Sequence, residues 1–389
     1  MGNRRVLEKC IMVLLIVVLG FAGGTARLRP PAQPAETPPV STQQPQVQTA
    51  PAPTEEPARQ SQPEASPEPT PEPTPEPEPE YFTLHFVGDC TLASSAYYQG
   101  GPSGYDTVIN GDFAYPFAET VQYFADDDFT MANLECCLTE SATATDKTFT
   151  FKTHAEYARI MTEGSVEFVT LANNHVLDFG QQGYADTKAA VEAEGIGYAG
   201  RDEWSVYETE RGLKIGVYAV SFGTVDQIRK GIAAVQEAGA DFIIAALHFG
   251  DEGSYQVNGD QRAQAHAAID AGADFVYGSH AHTLQPSEVY NDKYIYYSMG
   301  NWTFGGNTNP RDKDTFILRL TVERTPDGTV SVTEREEIPC ASSGVVNGNN
   351  YQPVPYAPDS EEYKRVLSKL DGSFTGANLS ISYGYSANE

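Results

Sequence analysis

Four of the seven histidines lie in three short turns, and each turn directly follows an apolar run. Two further apolar runs end in a carboxylate residue, Asp89 and Glu135. Apolar runs of this kind predict buried strands, so the polar side chains would meet at one end of a sheet. Imidazole, carboxylate and amide groups are ligands of divalent ions such as Mn, Fe and Zn. The pattern therefore predicts a metal site assembled at strand ends. The histidine turns read Ala172-Asn173-Asn174-His175, His248-Phe249-Gly250-Asp251-Glu252 and Gly278-Ser279-His280-Ala281-His282.

Strand-like and helix-like patterns alternate from residue 82 to residue 277. Repeated β-α units predict parallel strands with helices on the faces of the sheet, and ligands then lie beyond the carboxyl ends of the strands. The segments from residue 288 to residue 332 predict antiparallel strands. We therefore expect an α/β fold, a mixed β-sheet sandwich flanked by helices. We also expect a short helix at residues 117–124 and a loose tail after Gly372.

The first 27 residues carry three basic residues before an apolar stretch, which predicts a signal peptide or a signal anchor. The apolar stretch is short for a membrane span, which needs about 20 residues, and cleavage stays open. Residues 28–80 hold 17 of the 26 prolines and predict a disordered Pro/Glu-rich linker. The expected folded part is a domain at residues 81–340, followed by a C-terminal extension at 341–389 with one helix. We expect an extracytoplasmic protein, either membrane-anchored or secreted.

The net charge is −28, the opposite sign to that expected of a nucleic-acid-binding protein. The five cysteines show no CxxC spacing, which excludes a thiolate zinc finger. Disulfides form outside the cell, so a bridge from Cys90 to Cys136 or Cys137 stays open. Buried free thiols are the favoured interpretation.

Six residues are the candidate metal ligands, for one or two ions. A carboxylate at a strand end can bridge two ions, and an amide oxygen can add a neutral ligand. Residues two apart in an extended chain point the same way, so the two histidines of the third turn should lie on one side. A single histidine at a strand end is more often a hydrogen-bonded loop residue than a ligand, but four such histidines together favour a metal site. The six are Asp89, Glu135, Asn174, His248, His280 and His282.

Four further residues are candidates for catalysis or substrate contact. His175 is expected to act as a general acid, since imidazole titrates near neutral pH. Asp178 either fixes His175 or forms a simple Asx turn. Glu252 either orients a ligand histidine or binds solvent. Asn301, after Gly300, is a candidate polar contact to the substrate.

Taken together, these motifs resemble the bacterial CapA family of capsule or poly-γ-glutamate synthesis proteins, which are similar to calcineurin-like metallophosphoesterases. The resemblance covers roughly residues 82–304 and implies a metallophosphoesterase-like fold. It also implies an extracytoplasmic, membrane-associated protein that acts on an anionic capsule polymer or its precursor, with membrane capsule-synthesis proteins as partners. The motifs that carry it include Val87-Gly88-Asp89, Asn133-Leu134-Glu135, Asp178-Phe179-Gly180 and Tyr297-Ser298-Met299-Gly300-Asn301, besides the three histidine turns.

The chain departs from the wider phosphoesterases at two positions. Their first motif has a metal-binding histidine where this chain has Thr91, and their bridging aspartate is replaced by Glu135. One metal position would lose a ligand. Three functions therefore stay open: a metal-dependent hydrolase or transferase acting on a surface polymer or its precursor, which is favoured; a non-catalytic metal- or polymer-binding subunit; and a phosphoesterase unrelated to capsule.

Overall fold

The computed structural model describes residues 77–95 and 99–379. The leader and residues 28–76 of the linker lie outside these ranges, so the structure does not test either prediction. Within the described ranges, no helix combines the length and the apolar character that a membrane span requires.

The strands form two large mixed sheets and one two-stranded sheet. The order of the first sheet is β16-β15-β14-β1-β2-β5-β6, with β13 also paired to β1, and that of the second is β11-β12-β10-β9-β8-β7. The small sheet pairs β3 with β4. The strands are β1 (Glu80–Thr91), β2 (Phe129–Leu134), β3 (Cys137–Leu138), β4 (Lys152–Thr153), β5 (Phe168–Thr170), β6 (Gly197–Ala199), β7 (Glu203–Glu208), β8 (Lys214–Ser221), β9 (Phe242–His248), β10 (Phe275–Ser279), β11 (Ser287–Tyr290), β12 (Lys293–Tyr296), β13 (Asn301–Phe304), β14 (Asp314–Arg324), β15 (Val330–Ala341) and β16 (Val354–Pro355).

The helices are α1 (Tyr105–Ile109), α2 (Arg159–Glu163), α3 (Gly180–Ala193), α4 (Val225–Glu237), α5 (Gly259–Asp270) and α6 (Glu361–Leu370). The helix expected at residues 117–124 is wrong, because Tyr115–Phe117 and Val121–Tyr123 form separate 3₁₀ turns. Thr120, between the two turns, has a φ of −133°, which is not a helical value. Its hydroxyl donates to the carbonyl of Phe117, which is a local bond that competes with helix formation.

Parallel pairing runs through the centre of both sheets. Strands β1, β2, β5 and β6 are parallel neighbours in the first sheet, as are β8, β9, β10 and β12 in the second. Antiparallel strands flank them, for example β14 and β15 in the first sheet and β7 and β11 in the second. The mixed-sheet prediction is confirmed, but the sequence patterns did not anticipate six of the strands, which are β3, β4, β6, β7, β13 and β16.

Alternating side chains divide the core into layers. Phe82, Leu84 and Phe86 of β1 join Ile215 and Val217 of β8 in one buried cluster between the sheets. In β9, Ile244 joins that cluster, whereas the alternate residues Ile243 and Ala245 pack with apolar residues of α4 and α5. A third cluster, on the other face of the first sheet, includes residues of α1, α2 and α3. Since burying such a side chain contributes roughly 1.5–3 kcal/mol, these three clusters hold a sandwich of two sheets between helices, as predicted.

The tail after Gly372 packs against the fold as far as residue 379. The backbone of Leu379 donates to Gly253 at 2.9 Å, and the side chain of Asn378 accepts from the Tyr255 amide at 2.9 Å. The Phe374 ring lies edge-on to Tyr255 with centroids 4.9 Å apart. The prediction of a loose tail is therefore wrong for residues 373–379, and residues 380–389 lie outside the described ranges.

Four cysteines fall within the described ranges, and all are buried free thiols, as favoured from the sequence. They are Cys90, Cys136, Cys137 and Cys340.

Candidate metal centre

Strand pairing brings the predicted site residues to one end of the sandwich. In the first sheet, Asp89 of β1 pairs with Asn133 of β2, two residues before Glu135. In the second sheet, His248 of β9 pairs with Ser279 of β10, one residue before His280. Because these strands are parallel, their carboxyl ends meet at the same edges, as the sequence predicted.

A close contact between two backbones sets the position of Asp89. A Cβ atom at Gly88 would lie 2.0 Å from the carbonyl oxygen of Gly300, so no larger residue fits at Gly88. The Asp89 amide donates to that same carbonyl at 2.9 Å. Residues 298–300 therefore hold the end of β1 and place Asn301 beside the site.

Glu135 lies among three of the predicted histidines. Its Oε1 atom is 3.6 Å from His248 Nε2 and 3.9 Å from His282 Nε2. The His248 Nε2 atom is also 2.9 Å from Asn174 Oδ1. Glu135, His248 and His280 each offer one ligand atom, and these atoms lie within 4.8 Å of one another.

A second group shares Glu135 and adds Asp89 and His282, again with ligand atoms within 4.8 Å of one another. The Nδ1 atom of His282 lies 3.1 Å from Asp89 Oδ2 and 2.9 Å from Asn301 Oδ1. Hydrogen-bond geometry favours the amide, and Asp89 Oδ2 keeps no hydrogen bond. All six predicted ligands thus come together, and Asn301 orients a histidine.

The two histidines of the third turn converge for a different reason from the one expected. His280 and His282 have φ values of 98° and 56°, so the chain there is a bend and not an extended strand. Their ring centroids are nevertheless 6.1 Å apart. Non-glycine residues with positive φ are uncommon, and such strain concentrates at functional sites.

The polar atoms of this cluster fit a divalent cation. Seven buried side-chain nitrogen or oxygen atoms of the described residues lack a hydrogen-bond partner, and four of them are here. They are Asp89 Oδ2, both carboxylate oxygens of Glu135, and His280 Nδ1. A buried carboxylate without hydrogen bonds is unfavourable. The neighbouring His282 offsets part of this penalty when it is protonated, and a divalent cation would offset more of it.

The electrostatics of the cluster favour the metal-binding protonation state at two of its three histidines, His248 and His280. Burial, with a smaller contribution from His282, lowers the pKa of His280 to about 4, and burial lowers the pKa of His248 well below its usual value. Both imidazoles are therefore neutral near pH 7, the form that binds metals. Burial alone would lower the pKa of His282, but Glu135 and Asp89 raise it to about 10. Burial, and next to it Asp89, raises the pKa of Glu135. A bound cation would oppose protonation of both groups.

His175 is held beside this cluster by Asp178. The two side chains meet at 2.7 Å through His175 Nδ1 and Asp178 Oδ2, and Asp178 is fully buried. Asp178 also accepts from Lys147 Nζ at 2.8 Å and from the Phe151 amide at 2.8 Å. Asp178 is therefore a positioning residue, which orients His175 and the segment at residues 145–151. With Nδ1 bonded to a carboxylate, Nε2 is the nitrogen of His175 left for substrate.

A cavity of about 370 Å³ opens beside the cluster, and its lining includes His175, His282, Asn301 and Glu252. Glu252, His280 and His282 form a third group with ligand atoms within 4.8 Å of one another. Glu252 is therefore a further candidate ligand, which adds a third role to the two considered from the sequence.

Sequence reasoning missed several residues that support the site. Asn133 donates to Asp89 at 2.8 Å, and Asn173 donates to Asn133 at 3.1 Å, so an amide chain links Asp89 to the histidine turn. Ser279 lies 2.8 Å from His248 Nδ1 across the β9–β10 pair. Phe222, with a positive φ of 49°, packs edge-on against His280 with centroids 4.9 Å apart. Only strand pairing and loop geometry reveal these contacts.

Comparison with known proteins agrees with the motifs. A family model described as "Bacterial capsule synthesis protein PGA_cap" matches residues 83–306, more than half of the chain. The chain belongs to this family. The resemblance to CapA proteins is thereby confirmed.

Two curated relatives show the same affiliation at modest identity. The chain is 26% identical over 312 residues to "PGA biosynthesis protein CapA" of Bacillus subtilis (strain 168), covering 73% of this chain and 76% of that protein. It is 26% identical over 235 residues to "Capsule biosynthesis protein CapA" of Bacillus anthracis, covering 53% of this chain and 57% of that protein. Among solved structures, the NAD nucleotidase of Haemophilus influenzae aligns with a TM-score of 0.37 at 12% identity, over 76% of this chain and 63% of that one. Because this score is low, the architecture is defined by the strand order of the two sheets instead.

Proposed function

We infer that this PGA_cap family protein is a metal-dependent hydrolase or transferase of capsule biosynthesis, acting on a poly-γ-glutamate-type surface polymer or its precursor. The observation that carries the proposal is the Glu135 carboxylate, fully buried without a hydrogen bond among His248, His280 and His282. Capsule and PGA biosynthesis are the roles printed in the names of its relatives.

The six ligand candidates would hold one or two divalent ions, with Mn, Fe and Zn best suited to imidazole and carboxylate ligands. Such an ion would supply Lewis acidity, drawing electron density from an ester, phosphoester or amide oxygen. His175 lines the adjoining cavity and is placed to donate a proton to a leaving group. Asp178 keeps the His175 ring in orientation.

An acidic polymer is a reasonable substrate only with local positive charge, since the chain carries a net charge of −28. A bound cation would supply that charge at the site. The basic and apolar leader and the proline-rich linker support an extracytoplasmic protein, membrane-anchored or secreted, that works with membrane capsule-synthesis proteins.

One observation favours the alternative, a non-catalytic metal- or polymer-binding subunit of a capsule assembly complex. Thr91 stands where the wider phosphoesterases have a metal-binding histidine, and its hydroxyl donates to the Glu135 carbonyl at 3.3 Å. That hydroxyl is therefore committed to the backbone. The metal position near Asp89 has fewer ligands, and weaker occupancy there would favour binding over catalysis.

Metal content is the first test. We expect elemental analysis of the purified protein to find Mn, Fe or Zn, and the His280→Ala/His282→Ala double variant to lose it. His154→Ala is the control, since His154 lies on the surface with its side chain 66% exposed. A folded wild-type protein that stays free of metal after incubation with all three ions would sink the metal-dependent proposal.

Substitution of His175 separates catalysis from binding. If the protein is catalytic, His175→Ala should keep its metal and lose capsule-polymer turnover by about 100-fold or more, the usual contribution of a general acid. An unchanged rate, with unchanged capsule production in cells, would instead support the binding role.

A further inference from the structure

A second cavity, of about 430 Å³, borders the metal centre on the side of Asn174. Its lining includes Lys147, Arg201, Ser221 and Gln227, and none of these residues was singled out from the sequence. Arg201 follows β6 by two residues and Ser221 ends β8, so this cavity lies at the carboxyl ends of strands from both sheets.

Arg201 is held in a tight turn with its side chain uncommitted. The Glu203 amide donates to the Gly200 carbonyl at 2.6 Å, and the Asp202 amide donates to Ala219 at 3.0 Å. Asp202 has a positive φ of 62°, which fixes the turn sharply. Within residues 77–95 and 99–379, no hydrogen bond or ion pair engages the Arg201 guanidinium, although it faces a cavity beside the site.

The two acidic residues that follow Arg201 in the chain already have other partners. Asp202 accepts from the Tyr218 hydroxyl at 2.5 Å and from Gln227 Nε2 at 3.2 Å. Glu203 accepts from the Tyr184 hydroxyl at 3.0 Å. The guanidinium fork, which matches the two oxygens of a carboxylate, is thus left for a group from outside the chain.

One segment connects this cavity with the one beside His175. Thr145 and Lys147 line the Arg201 cavity, whereas Phe149 and Phe151 line the other. Asp178 holds this segment at both ends, accepting from the Thr145 amide at its carbonyl and from the Phe151 amide at its side chain. The two cavities therefore share this segment as part of their walls.

We propose that the Arg201 cavity is an anion subsite, which binds a carboxylate of the polymer unit next to the one at the metal centre. The proposal rests on the proposed function and specifies its substrate as an extended chain with acidic groups on successive units. Arg201 supplies the charge, and Lys147, whose own charge is paired with Asp178 at 2.8 Å, lies at the rim.

The test is calorimetric binding of a γ-linked glutamate tetramer to the Mn²⁺-loaded full chain. Arg201→Gln removes the charge and keeps a hydrogen-bonding side chain, and we expect about 10-fold or greater loss of affinity, the scale of one charge-assisted contact. Arg229→Gln is the matched control, because Arg229 is exposed on α4 and lines neither cavity. It should change affinity less than about twofold. Mn²⁺ binding should be the same in all three proteins.

Each other result overturns the subsite. Equal tetramer affinity of Arg201→Gln and the wild type would leave Arg201 without a role, and so would a Mn²⁺-loaded wild type that binds no tetramer. A preference for a glycerol phosphate tetramer would refute the carboxylate assignment. Failure of the wild type to bind Mn²⁺, Fe or Zn is a separate result, which refutes the metal-dependent function itself.

Discussion

Glu135→Gln should stabilise the metal-free protein and remove its response to metal. Glu135 is fully buried, both its oxygens lack hydrogen bonds, and Asp89 adds a second carboxylate to the same ligand group. Leaving a buried polar group unsatisfied costs about 1–3 kcal/mol, and more when the group is charged. Glutamine keeps the shape and removes the charge. It also removes the attraction between Glu135 and His282, whose Nε2 atom lies 3.9 Å from Oε1, so the net gain is the part of the penalty that this attraction does not offset.

The magnitude can be expressed as a melting temperature. For a domain of this size, 1 kcal/mol moves Tm by roughly 2 °C, so the metal-free variant should melt about 2–6 °C above the metal-free wild type. With metal at about 100 times its Kd, binding adds about 2.7 kcal/mol to the wild type, or about 5 °C. The variant should gain much less. In the presence of metal, the difference in Tm between the variant and the wild type should therefore narrow or change sign.

Differential scanning calorimetry in EDTA and then in MnCl₂ measures both effects. Glu163→Gln is the control, because Glu163 forms only an exposed ion pair with Arg159 at 3.2 Å, and such pairs contribute about 0–1 kcal/mol. A variant that melts below the wild type in EDTA would show that the Glu135 charge is already satisfied in the apo protein. That result would remove the argument for a cation at this position.

Two further predictions concern the first sheet. Burial, reinforced by Asp127, raises the pKa of Glu167 to about 7. The contribution of the protonated Glu167 to the free energy of unfolding is fully present below about pH 4.5 and is lost as the pH rises through 7. Glu167→Gln should therefore fall less in unfolding free energy than the wild type between pH 5 and 8 in urea titrations, and parallel curves would contradict the assignment. Gly88→Ala would place a Cβ 2.0 Å from the Gly300 carbonyl oxygen. We expect the free energy of unfolding to fall by at least about 3 kcal/mol and metal binding to be lost. Gly259→Ala, where a Cβ meets nothing within 4 Å, is its control, and equal stability of the two variants would show that the strands can separate at no cost.

Strand prediction succeeded where side-chain burial dominates. The apolar runs before Glu135 and His248 became β2 and β9, because a parallel strand buried on both faces has an almost continuous apolar sequence. Prediction failed where the pattern is short or partly exposed. Strand β6 has three residues and β7 is largely exposed, so neither shows a clear apolar pattern. The Gly/Ser/Asn-rich composition after Gly372 predicts a loose tail. The contacts that hold residues 373–379, to Gly253 and Tyr255, are distant in sequence and are not visible in that composition.

The amino-acid sequence by itself determined which residues stand at the strand ends, and hence the set of six candidate ligands. Hydrophobic periodicity is local, and a polar residue after a buried strand is visible in the chain alone. Only the tertiary structure decided how these residues meet. The bend at His280 and His282, the Gly88–Gly300 contact and the uncommitted Arg201 depend on two sheets and several turns packing together, which no local pattern encodes.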